Sequence, residues 1–125
     1  MRQLLTDLNQ SSAQIEASAL ISTDGIVIAA ELPDNMSEDV IGTMSAALHS
    51  ISSRGTQELV NGTLEEIIVK TNQGYIVITQ AGRDAMLTVV TQSHIELAPI
   101  TQLNPIIATL KQSAEKILLE EAATK

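Results

Sequence analysis

The side chains able to do acid–base or metal chemistry are few in this 125-residue chain, and they are scattered along it. His49 and His94 are the only histidines, and neither has neighbours at a metal-ligand spacing. Glu65 and Glu66 are adjacent in a predicted strand, so their side chains point to opposite faces and cannot work as a paired acid and base. With no cysteine either, the chain is predicted not to be an enzyme and to hold no cofactor or metal.

Two arginines, Arg54 and Arg83, are candidates for phosphoryl-transfer chemistry, because a guanidinium supplied in trans can stabilise the charge that develops during GTP hydrolysis. Surface solvation is the favoured interpretation of both side chains. The chain also lacks the GxxxxGK(S/T) loop through which a P-loop protein binds a nucleotide. Neither arginine is therefore predicted to be catalytic.

The composition describes a folded, acidic domain. Hydrophobic residues make up 44% of the chain and the net charge is −8, which argues against nucleic acids and anionic membrane surfaces as partners. Tyr75 is the only aromatic residue, so the core must be aliphatic. The first ten residues contain no apolar run long enough for a signal peptide or a membrane span, so we expect a cytoplasmic protein. The length predicts one domain over residues 1–125.

Hydrophobic periodicity and turn residues divide the chain into eight elements. Asp24 and Gly25 form the turn of a hairpin, Gly62 ends a long helix, and Pro105 opens the last helix. Some strands barely alternate between apolar and polar residues, so both faces of the sheet must be covered. The predicted order is helix 1–12, strands 17–22 and 26–31, helix 34–62, strands 64–70, 75–81 and 85–91, and helix 104–122.

The helix over 34–62 has two unusual faces. One is an apolar stripe predicted to lie on the core: Val40, Ile41, Met44, Ala47, Leu48 and Ile51. The other carries small or weakly polar residues and no charge: Gly42, Ser45, Ala46, His49 and Ser53. Small side chains let a second helix approach closely, so this face is predicted to contact another copy of the chain. The alternative is a weakly polar face exposed to solvent.

The strand over 64–70 carries charges at Glu65, Glu66 and Lys70, the pattern expected of an edge strand. A dimer built on the preceding helix could pair this edge with its twin, which would bring Glu65, Ile67 and Val69 into the interface. A solvated edge protected by its charges fits the same residues, and both interpretations remain open.

The order of elements resembles the Roadblock/dynein light chain family, in particular its prokaryotic stand-alone members of MglB type. The resemblance rests on residues 19–29 (ALISTDGIVIA), on the helix with a small-residue face, and on residues 64–69 (LEEIIV) running into 74–78 (GYIVI). It implies an α+β fold, an α/β/α sandwich with a five-stranded antiparallel sheet in the order 2-1-5-4-3 between the long central helix and two terminal helices. It also implies a homodimer built on the central helix and the third strand.

The same resemblance implies a function. Proteins of this kind bind small Ras-like GTPases or serve as dimeric adaptors, so the leading hypothesis is a homodimeric regulator that binds a small GTPase through a composite dimer surface. The alternative is a non-catalytic scaffold subunit of a larger assembly. A small-molecule sensor ranks third, because the chain is poor in the aromatic and convergent polar residues that pockets use.

Overall fold

The sheet is built from hairpin-connected strands and lies between helices. A computed structural model describes residues 2–11, 15–81 and 84–92 and the single helical positions Gln112, Lys116 and Leu119. The rest of the predicted last helix lies outside the described residues, as do His94 and Arg83. The elements are α1 (Arg2–Ser11), β1 (Ile15–Ser22), β2 (Val27–Glu31), α2 (Glu38–Leu59), β3 (Glu66–Lys70), β4 (Gly74–Gln80) and β5 (Ala85–Gln92).

The five strands form one antiparallel sheet in the order β2-β1-β5-β4-β3, which confirms the predicted topology. β5 lies at its centre and is buried on both faces, as its lack of alternation predicts. The same prediction is wrong for β2, an edge strand in which Ile28 is 48% exposed. Gly25 closes the β1–β2 turn with φ +92°, a backbone conformation that glycine adopts without strain. β2 and β3 form the two edges of the sheet.

α1 covers one face of the sheet. Leu5 and Leu8 are buried against Leu20, Leu87 and Val89 in a core of aliphatic side chains and the single tyrosine. Polar contacts fix the docking of this helix. The Asn9 side chain donates to the carbonyl oxygen of Glu31 at 3.2 Å and accepts a hydrogen bond from the buried Ser18 hydroxyl at 2.6 Å.

α2 covers the opposite face, where Ala19, Ile21, Ile78 and Met86 form a second core. Ile41 and Leu48 of α2 pack against this core from the flank of the helix, together with Ala46 and with the edge residues Val27 and Ile67. Because α2 meets the sheet along a narrow strip, much of its surface stays outside the monomer core.

Candidate protein–protein interface

Side-chain and backbone caps fix the two ends of α2. Ser37 is the N-cap, and its hydroxyl accepts from the backbone N–H of Val40 at 3.4 Å. The helix starts at Glu38 and not at residue 34, because the preceding residues form a turn in which Met36 N–H donates to the carbonyl of Pro33. It ends at Leu59, and Asn61 adopts a positive φ of 57° just before Gly62.

The small-residue face of α2 packs on its own sheet, so its predicted role as the contact with a second copy is wrong for the residues at its centre. Gly42 and Ser45 are buried. A Cβ at Gly42 would lie 2.5 Å from the carbonyl oxygen of Gly25, so the helix backbone touches the β1–β2 turn directly. Ala46 lies beside the same turn, within van der Waals distance of a Cβ built at Gly25. These small side chains bring a helix close to a strand turn, not to a second helix.

Polar residues on this face also have partners within the monomer. The Ser45 hydroxyl is hydrogen-bonded to the buried hydroxyl of Thr88 on β5 at 2.9 Å. His49 Nε2 lies 3.0 Å from Oε1 of Gln80 at the end of β4. His49 is half-buried and contacts the sheet of its own chain, and its part in a dimer interface remains a prediction. Ser53 is half-buried on the same side of the helix.

The apolar stripe was predicted to lie on the core, and for most of its residues that prediction is also wrong. Val40 is 56% exposed, Met44 55% and Ile51 73%, and Ala47 is exposed as well. Only Ile41 and Leu48, at the edge of the stripe, contact the core. The two faces of α2 are thus exchanged relative to the prediction, and this leaves an exposed apolar ridge with no partner among the described residues.

We call the residues Val40, Met44, Ala47 and Ile51 the outer ridge of α2. Their spacings of four, three and four residues are those of a coiled-coil seam, in which one helix meets another. An amphipathic helix that lies on a sheet has similar spacings, so this pattern alone does not identify the outer ridge from the sequence. Helix-on-sheet and helix-on-helix packing both select apolar residues, so apolarity alone did not distinguish them.

An open groove of about 410 Å³ runs beside the outer ridge, between the N-terminal half of α2 and the sheet. Most of its wall is aliphatic, with a few hydroxyl and amide groups toward the start of the helix. It does not supply the convergent polar groups of a small-molecule site. The groove is lined by Val40, Ile41, Met44, Leu48, Ile76 and Val90 among others.

β3 is an edge strand, as predicted. Ile67 and Val69 are half-buried, whereas Glu65 is exposed and precedes the strand. β3 pairs only with β4 among the described strands, with Ile67 opposite Ile78 and Val69 opposite Ile76. The participation of Glu65, Ile67 and Val69 in a dimer interface remains a prediction.

The charged groups near this surface do not form a catalytic arrangement. Arg54 pairs with Glu58 one turn further along α2, at 3.2 Å, and the two side chains are 80% and 65% exposed. Among the described residues, no cluster of three or more His, Asp or Glu residues could hold a metal ion. No helix within the same part of the chain is long and apolar enough to cross a membrane.

Comparison with known proteins agrees with this architecture. The family model of the Roadblock/LC7 domain matches residues 1–91, and the chain belongs to this family. An uncharacterized protein of Methanocaldococcus jannaschii, MJ1340, is 30% identical over 115 residues, which span 92% of this chain and 94% of that protein.

Solved structures show the same fold at low sequence identity. A Roadblock/LC7 domain from Streptomyces avermitilis superimposes with a TM-score of 0.78 at 21% identity, over 95% of this chain and 98% of its own. MglB of Myxococcus xanthus gives a TM-score of 0.77 at 12% identity, over 95% of this chain and 94% of its own. The chain is therefore similar in fold to MglB proteins.

Proposed function

We propose that this protein forms a homodimer through the outer ridge of α2 and that the dimer regulates a small Ras-like GTPase. The observation that carries the proposal is the exposed outer ridge. Burying a large aliphatic side chain contributes about 1.5–3 kcal/mol. Because Val40, Met44 and Ile51 are exposed in the monomer, a partner that covered them would gain this burial energy. The heptad-like spacing of these residues favours a helix as that partner.

A two-fold dimer would use the same surface on both copies. If the two α2 helices run antiparallel, the C-terminal half of one lies beside the N-terminal half of the other. The C-terminal end of α2 and the residue after it present two strongly exposed apolar side chains, Leu59 at 84% and Val60 at 72%. These side chains suit the aliphatic groove beside Val40 and Met44 of the partner copy.

The sequence of β3 supports pairing of the same two copies along their sheets. Antiparallel self-pairing centred on Ile68 sets Glu66 opposite Lys70 of the other copy and Lys70 opposite its Glu66. Opposite charges directly across an antiparallel pair are stabilising. The same register sets Ile67 opposite Val69, so these two of the predicted interface residues would form a cross-strand apolar pair.

The regulatory role rests on family membership and on the fold shared with MglB proteins. Such a dimer would act by binding and reshaping the GTPase through a surface that neither copy has alone, not by supplying a reacting group. The alternative to a GTPase regulator is a scaffold subunit of a larger assembly. It would form the same dimer through the outer ridge of α2.

Affinity capture from a lysate of the source organism tests the proposal. The immobilised protein is incubated in parallel with GDP and with a non-hydrolysable GTP analogue, and bound proteins are identified by mass spectrometry. We expect a small GTPase in only one of the two nucleotide arms. A column carrying Ile51→Glu should lose it, because the composite surface needs both copies.

Two results would contradict the regulator. Retention of the same large protein in both nucleotide arms would support the scaffold instead. Undiminished capture of the GTPase by Ile51→Glu, shown in solution to be a monomer, would exclude a composite surface.

A further inference from the structure

The second edge of the sheet, β2, is apolar where β3 is charged. From Gly25 to Ala30 the chain reads GIVIAA, with no charged residue. Ile26, just before the strand, is 66% exposed and Ile28 within it is 48% exposed. No described strand lies on the outer side of β2. Glu31, the last residue of β2, is the only charged residue of the strand, and the residues before it carry neither a charge nor a proline that would oppose pairing with another chain.

A β-bulge accounts for the exposure of Ile28. Leu20 of β1 lies opposite Ala29, but the next residue, Ile21, lies opposite Val27, so Ile28 is the extra residue of the pair. The bulge shifts the register in the middle of the strand. It therefore disfavours a long, regular pairing with any strand and limits an added segment to a short stretch of the edge.

Carboxylates surround this edge. Asp24 lies in the turn before β2 and Asp34 follows the strand, and both are exposed. Asp39 is also exposed and lies on α2 one turn before Gly42, which contacts Gly25 and the Val27 side chain. Between residues 3 and 53 the chain contains no Lys or Arg to balance these acids.

The charge pattern decides between the possible occupants of the edge. Two copies of this chain meeting edge to edge through β2 would bring their carboxylates together, and like charges across a strand pair are destabilising. A nucleic acid would be repelled for the same reason. An extended protein segment that alternates β-branched and basic side chains would pair with the backbone of β2, cover Ile26 and Ile28, and meet Asp24 and Asp34.

We propose that β2 is a docking edge for a short, extended, basic segment of a partner protein, bound by strand addition. This site lies at the opposite end of the sheet from β3. It uses none of the residues assigned to the dimer or to the GTPase, so it stands independently of the proposed function.

Peptide binding to the full-length protein tests the site. The probes are a fluorescently labelled peptide Lys-Val-Lys-Val-Lys-Val-Lys and a control of equal charge, Lys-Pro-Lys-Val-Lys-Pro-Lys, in which proline prevents strand pairing. Affinity is read from fluorescence anisotropy at physiological salt. Hydrogen exchange of the amides of residues 27–30 reports where the peptide binds.

We expect the valine peptide to bind, to slow exchange at residues 27–30, and to bind more tightly than the proline peptide. Ile28→Lys should weaken binding by about tenfold, because it removes apolar contact and adds a like charge at the edge. Ile26→Lys serves as a second variant, and each variant's circular dichroism is checked for retained folding.

The matched control is Asn72→Lys, which adds the same charge at an exposed turn after β3, on the far side of the sheet. It should change the affinity less than twofold if contact with the edge, not total charge, determines binding. Equal weakening by Ile28→Lys and Asn72→Lys would overturn the proposal. So would equal binding of the proline peptide, unchanged exchange at residues 27–30, or no binding of the valine peptide.

Discussion

Gly42 determines how closely α2 approaches the sheet. A methyl group at this position would meet the carbonyl oxygen of Gly25 at 2.5 Å and the Val27 side chain at 3.2 Å. The carbonyl belongs to the backbone of a tight turn and cannot move aside cheaply. The glycine is therefore a packing requirement, which outweighs its low helix propensity.

Gly42→Ala is expected to lower the free energy of unfolding by about 1–2 kcal/mol, since the overpacking cost exceeds the gain in helix propensity. Gly55 provides the control within the same helix, because a Cβ there has no heavy atom within 4 Å. Gly55→Ala should raise stability by up to about 1 kcal/mol. Urea unfolding at one fixed protein concentration compares the three proteins, and a stabilising Gly42→Ala would contradict the close contact.

α2 shows how far the sequence predicts the structure. The element order and the charged edge of β3 follow from local patterns such as turns and alternation, whereas the order of the strands in the sheet follows from the family resemblance. The orientation of α2 does not. Its two uncharged faces both suit burial, and only the backbone contact of Gly42 with Gly25 and the Ser45–Thr88 hydrogen bond show which one meets the sheet.

The predicted interface residues fall into two groups, those on α2 and those on or next to β3. Gly42, Ser45, Ala46 and His49 contact the sheet of their own chain, whereas the β3 residues remain on an edge. The contacts of the first group join residues far apart in the chain, such as position 45 with 88 and 49 with 80. Sequence spacing within one helix carries no information about such distant partners.

The strand β3 provides a prediction about the dimer. Lys70→Glu would replace two symmetry-related attractive pairs with like charges and should weaken the dimer by about 1 kcal/mol, or roughly fivefold in Kd. Adding Glu66→Lys in the same chain reverses both charges and should restore the affinity. Sedimentation equilibrium at low salt measures these constants. A double variant as weak as Lys70→Glu would contradict the self-pairing register centred on Ile68.

The whole molecule presents two different edges on one sheet. β3 carries charges of both signs, Glu66 and Lys70, which would face each other if two copies of the strand paired antiparallel. β2 instead has exposed apolar residues with acidic residues nearby. A dimer joined at β3 would place two copies of β2 at the far ends of a continuous sheet. Two distant docking edges on one rigid body suit a regulator or a scaffold that holds more than one protein.

If the outer ridge of α2 is the interface between two copies, the mass of the protein in solution depends on it directly. Light scattering coupled to size exclusion should give the native protein twice the 13.3 kDa mass of one chain. Ile51→Glu should give the mass of one chain, because it puts a charge on the most exposed residue of the outer ridge. Ser50→Glu, at an exposed neighbouring position outside the outer ridge, should remain dimeric. A native protein with the mass of a single chain, or an Ile51→Glu variant that stays dimeric, would contradict the account.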